Sequence, residues 1–109
     1  MAVNIMQGDS YPILIELEQD GHNLSPDMID DLEICVGSTM RKTFSAGTVF
    51  YDSDLCCWFI IPTQEETFSL NAGTYEVIVR VKYKNQPPSV KGVSVGKINL
   101  RKTLSEEVI

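Results

Sequence analysis

The chain has 109 residues, 43% of them hydrophobic, with 15 acidic against 9 basic residues and a formal net charge of −6. That length fits one domain able to bury a core without metal or disulfide support, and the apolar content excludes compositional disorder. The acidic balance argues against nucleic-acid binding and against docking on an anionic membrane surface.

The opening MAVNIMQGDSYP has no basic region followed by an apolar core, so it does not read as a secretory signal. No apolar run approaches the roughly 18 residues that span a bilayer. The chain therefore reads as made and used, or assembled, in a cytosol.

Strand-like runs separated by turn residues fill the sequence. Ala2 to Met6 is a short first strand, broken by Gly8 to Ser10. In YPILIELEQ, Tyr11, Ile13, Ile15 and Leu17 share one parity while Glu16 and Glu18 share the other. Pro12 cannot donate to a ladder, so this strand starts there or lies at an edge. Asp20 to Asn23 is a turn, and Ser25 before Pro26 starts one short helical turn. DLEICVG follows, with Leu32, Ile34 and Val36 facing one way. MRKTF and AGTVFYD are the next strands, the latter ending in the turn Asp52 to Asp54.

LCCWFIIP, from Leu55 to Pro62, is apolar on both parities, which predicts a central strand covered on both faces. Thr63 and Glu66 have capping-box spacing and predict one helical turn. From Thr74 to Tyr83, the residues Tyr75, Val77, Val79, Val81 and Tyr83 share one parity, and Ile78 is the apolar exception on the other. KNQPP predicts a turn. The last strand runs from about Val90 to Leu100, where Val93 and Val95 share one parity and Ile98 and Leu100 the other; Gly96 between them is a β-bulge site. Seven to eight short strands at this spacing predict a sandwich or barrel over residues 1–102, with 103–109 as a C-terminal tail.

The chemistry-bearing residues form no catalytic signature, and no cofactor or metal site is expected. His22, the only histidine, lies in a polar turn without a second group to orient it. Cys35, Cys56 and Cys57 lack metal or redox spacing; all three read as reduced, Cys35 and at least one of the pair as small core residues, with a Cys35 disulfide left open. Cys56 and Cys57 are expected side by side in a strand, facing opposite ways. Asp27, Asp30, Asp31 and Glu33 lack the glycine of a calcium loop and read as a solvated acidic turn. GVSVGK lacks phosphate-loop spacing.

Two features point to protein contact. Arg80, Lys82 and Lys84 form a basic stripe on one strand face, which is either a solvated face paired with neighbouring acids or a docking face for an acidic partner, a second copy included. The tail TLSEEVI ends on Val108 and Ile109 after Leu104, an apolar end that either frays or docks on a partner.

The run from Asn71 to Val77, with Gly73 and Tyr75, resembles the tyrosine corner of immunoglobulin-like sandwiches. Val77 stands where that family often has its cysteine, and Trp58 suits its buried tryptophan. The resemblance implies an all-β immunoglobulin-like sandwich of about seven to eight antiparallel strands, with at most one or two short helical turns. Gly8–Asp9, the strand Tyr11 to Leu17, the segment Asp31 to Val36 and AGTYEVIVRV together resemble the N-terminal immunoglobulin-like domain of bacteriophage baseplate upper proteins. That likeness implies a non-catalytic structural protein of a phage or prophage tail, baseplate or head-to-tail assembly. Such a virion component is made in a bacterial cytoplasm and contacts itself or other structural proteins as partners. The alternative is a small carbohydrate-binding or adhesive sandwich domain. It requires aromatics such as Phe44, Phe50, Tyr51 and Phe68 to crowd one exposed face.

Overall fold

Two layers of strands meet over one apolar core, in a computed structural model that describes residues 2–84, 89–105 and 107–109. The strands are β1 (Ala2–Met6), β2 (Ile13–Ile15), β3 (Glu18–Gln19), β4 (His22–Asn23), β5 (Ile29–Val36), β6 (Met40–Thr43), β7 (Phe50–Asp52), β8 (Cys57–Ile60), β9 (Gly73–Tyr83) and β10 (Ser89–Arg101). A 3-10 turn spans Pro26–Met28, and one short helix, α1, spans Gln64–Ser69. The larger sheet has the order β1-β10-β9-β5-β6, and the smaller has the order β2-β8-β7.

Strict alternation builds the larger sheet from its centre. On β9, Val77, Val79 and Val81 are buried, while Thr74, Glu76, Arg80 and Lys82 are exposed. Their partners on β5 fall in register: Val36 opposite Val77, Ile34 opposite Val79, Leu32 opposite Val81. On the other flank, the ladder of β10 slips between Ser94 and Gly96, at the expected bulge. The extra residue returns Ile98 and Leu100 to the core side, where both are buried. The molecule is 50 Å long and 26 by 24 Å across.

The smaller sheet supplies the facing layer through Ile13, Ile15, Trp58 and Ile60, all buried. Trp58 is fully buried, and its indole Nε1 donates to the Leu24 carbonyl at 2.9 Å, so the one polar atom of the ring is satisfied. Phe44 meets its ring edge-on at 5.3 Å and Tyr51 lies at 4.9 Å.

Turn chemistry closes the connections. Asp20 and Gly21 take φ of 53° and 80°, the mirror-image turn that joins β3 to β4. Thr63 Oγ1 accepts from Glu66 N and Glu66 Oε1 accepts from Thr63 N, the reciprocal cap predicted for α1.

Several expectations need correction. The strands are not all antiparallel: β1 runs parallel to β10. These two lie at opposite ends of the chain, so no hairpin dictates their relative direction. Ten strands are present among the described residues rather than seven to eight, because YPILIELEQ splits into β2 and β3, and the Asp20–Gly21 turn folds β4 back on β3. Cys56 does not share a strand with Cys57; it closes the preceding turn at φ 52°. Cys35 is not in the core but half-buried on the outer face of β5. The expected KNQPP turn falls largely on residues 85–88, outside the described residues.

The Tyr75 hydroxyl donates to the Asn71 carbonyl at 2.5 Å, so the corner is tied through backbone rather than the asparagine side chain. Its ring packs on Gly37, where an added Cβ would come within 2.8 Å of the ring at a backbone φ of +59°. Tyr75→Phe is expected to cost about 1 kcal/mol by losing one hydrogen bond. Gly37→Ala is expected to cost more, about 1–2 kcal/mol from the left-handed backbone alone. Denaturant midpoints of the two variants measure the order.

Candidate protein-interaction surface

Glu33 organises the outer face of the larger sheet. It is a buried carboxylate on β5, yet both its oxygens are engaged: Arg80 Nε donates to Oε1 at 2.7 Å and Arg41 Nε donates to Oε2. Cys35 Sγ also donates to Oε1, at 3.4 Å. The Arg80 hydrogen bond, with Arg41 adding to it, holds the Glu33 carboxyl down at about 2 despite its burial. Burial, and then the adjacent carboxylate, push the Cys35 thiol up. Arg80 is therefore a structural counter-ion, matching the reading in which the stripe pairs with neighbouring acids. Lys82 stands opposite Asp31 in the ladder and is exposed, and Lys84 is exposed just past the end of β9. A cleft of about 220 Å³ beside Arg80 and Lys82 is lined by both signs of charge, including Asp31 and Glu33. It offers no uniform anion site.

The tail lies at the opposite end of the molecule. Leu104 and Ile109 are fully exposed and Val108 is largely so. Thr103 N donates to Gln7 Oε1 at 3.3 Å and Ile109 N to Gln64 Oε1 at 3.1 Å, so the tail runs along β1 and α1. From Gly73 at that end to Tyr83 at the other, β9 extends about 33 Å. The fold thus separates Leu104, Val108 and Ile109 from Lys82 and Lys84.

A contiguous exposed apolar row lies on the smaller sheet, of which the sequence singled out Phe50 alone. On the outer face of the smaller sheet, Leu14 stands opposite Phe59, and Phe59 opposite Phe50. The two rings stack at 5.3 Å with 26° between their planes. Leu14 is 49% exposed, Phe50 40% and nearby Leu55 59%, and no described element covers them. A hollow of about 360 Å³ lies among Pro12, Leu14, Leu55 and Phe59. A second, of about 490 Å³, continues round the edge of β2 and is lined by Leu14, Glu16, Leu55 and Val95. The signal is present in LCCWFIIP, whose apolar residues on both parities predict cover on both faces. Trp58 and Ile60 face the core, Cys57 is buried, but Phe59 is only half-buried and Leu55 and Ile61 are exposed.

The other aromatics divide accordingly. Phe44 and Tyr51 pack on Trp58, and the Phe68 ring lies against Gly8. His22 is exposed on β4. Among the described residues, no three His, Cys, Asp or Glu side chains are grouped to hold a metal, and no helix is long and apolar enough to cross a membrane.

The depressed Glu33 carboxyl makes a pH prediction. Its contribution is complete above the ordinary glutamate value of 4.5 and is lost as the pH falls through about 2. Glu33→Gln is expected to cost about 1–3 kcal/mol near neutrality and to flatten that acid slope, as read from urea midpoints across the pH range. No family model, curated protein or solved structure matches the chain.

Proposed function

We propose that this chain is a non-catalytic protein-interaction module built as an immunoglobulin-like sandwich. The observation that carries the reading is the uncovered apolar row Leu14–Phe59–Phe50 with Leu55 on the outer face of the smaller sheet. Contiguous exposed apolar surface of this kind marks a place where another molecule sits. The sandwich reading draws support from two facing sheets and from the Tyr75–Asn71 corner. Within that class, the likeness of the Gly8–Asp9, Asp31–Val36 and AGTYEVIVRV segments favours a structural part of a phage or prophage particle, in its tail, baseplate or head-to-tail assembly.

The alternative, a carbohydrate-binding domain, needs ring faces open to a sugar. Phe50 and Phe59 instead turn their faces to each other and are flanked by leucines, a surface better matched to apolar side chains.

Replacing Leu14 and Phe50 together by Ser is expected to lower the binding of an apolar fluorescent dye several-fold while the fold persists, at a stability cost of about 1–2 kcal/mol from the lost Phe50–Phe59 stack and partial burial. In NMR titrations with soluble oligosaccharides, the Phe50 and Phe59 signals are expected to stay in place. Saturable shifts there would overturn the proposal in favour of an adhesive domain.

A further inference from the structure

Two strand edges and an uneven distribution of charge carry one more step, which rests on the protein-contact reading above. Strand β1 covers β10 only from Lys97 to Arg101. On the side of β10 away from β9, no described strand pairs with Val90 to Ser94, and within this stretch Val90 is 61% exposed and Val93 48%. Strand β2 is likewise an edge, continuing into Glu16 and Glu18, both exposed. Edges of this kind present unpaired backbone groups to any strand of fitting chemistry.

Charge selects that chemistry. Seven of the nine Lys and Arg residues lie between Arg80 and Lys102, where there is no Asp or Glu. Residues 1–79 hold thirteen of the fifteen acids against Arg41 and Lys42 alone. Lys91 on the open edge of β10, with Lys82 and Lys84 at the adjoining end of β9, make that edge repel a second copy of itself, while Glu16, Glu18 and Asp20 make the β2–β3 edge attract it. Both edges border one hollow, since Val95 of β10 lines it together with Leu14 and Glu16. A two-fold axis through that side therefore places each edge against its complement twice, which is the condition for a closed dimer.

We infer that two copies of this chain pair about a two-fold axis, the basic open edge of β10 of each lying along the acidic β2–β3 edge of the other. Leu14 and Leu55 then lie at the seam, and the two sheets continue from copy to copy.

Light scattering on the native full chain, two charge-reversal variants and the Leu14→Ser, Phe50→Ser variant tests the inference. The arm variant carries Lys82→Glu, Lys84→Glu and Lys91→Glu; the acceptor variant carries Glu16→Lys, Glu18→Lys and Asp20→Lys. All six positions are exposed, and the one change in a left-handed turn, Asp20→Lys, is expected to cost about 1 kcal/mol, so circular dichroism is expected to show unchanged folds. The native chain is expected to be a dimer at low salt and to weaken as salt is raised. Each variant alone is expected to lose about a hundredfold or more in dimer affinity, and an equimolar mixture of the two to return the dimer mass. Either variant remaining dimeric alone, or the mixture remaining monomeric, overturns the inference. A monomeric native chain overturns it too and leaves the protein-contact reading to its own test. A dimer abolished by Leu14→Ser with Phe50→Ser but untouched by charge reversal overturns the edge pairing while upholding the apolar face.

Discussion

Everything in the fold depends on a fully buried tryptophan whose single polar atom has a partner. Trp58 brings the largest buried side chain to the interior, and an unpaired indole N–H there would cost about 1–3 kcal/mol. The Leu24 carbonyl removes that cost and in doing so fixes the loop after β4 over the end of the smaller sheet. Phe44 and Tyr51 close around the same ring from two further segments. The rows from Val77 to Val81 and from Leu32 to Val36 then meet a facing layer whose position is already set.

Local chemistry was legible in the residues. The parity of β9, the slip at Gly96, the reciprocal Thr63–Glu66 cap and the Tyr75 corner each follow from neighbours within a few positions. What escaped was set by partners far along the chain. The parallel pairing of β1 with β10 joins the two ends of the sequence, and neither strand carries a mark of its direction. The outer face of β8 escaped for a different reason. Apolar residues on two parities report that both faces meet apolar surroundings, and they are silent on whether the second comes from the same chain. Among the candidate site residues, Arg80 proved committed to Glu33, while the tail residues stayed exposed and far from the lysines.

Polar and apolar surfaces are divided between the two sheets in a way that suits contact. The outer face of the larger sheet is neutralised from within, by Glu33 against Arg80 and Arg41. The outer face of the smaller sheet is left apolar and without ion pairs among the described residues. A surface of the first kind resists non-specific association, while the second gains from being covered.

The slip at Gly96 also bears on how the chain tolerates changes in length. It is an extra residue accommodated in β10 between Ser94 and Gly96, with Val93 before it and Ile98 and Leu100 after it on the same side. Deleting Val95 would leave a regular ladder with every inward residue still inward. Deleting a residue elsewhere in β10 would exchange the faces of all residues between the gap and the bulge or the strand end. Gains and losses of single residues in this strand should therefore be accommodated at the bulge, which acts as a spacer between the half of β10 before it and the half that β1 also pairs with.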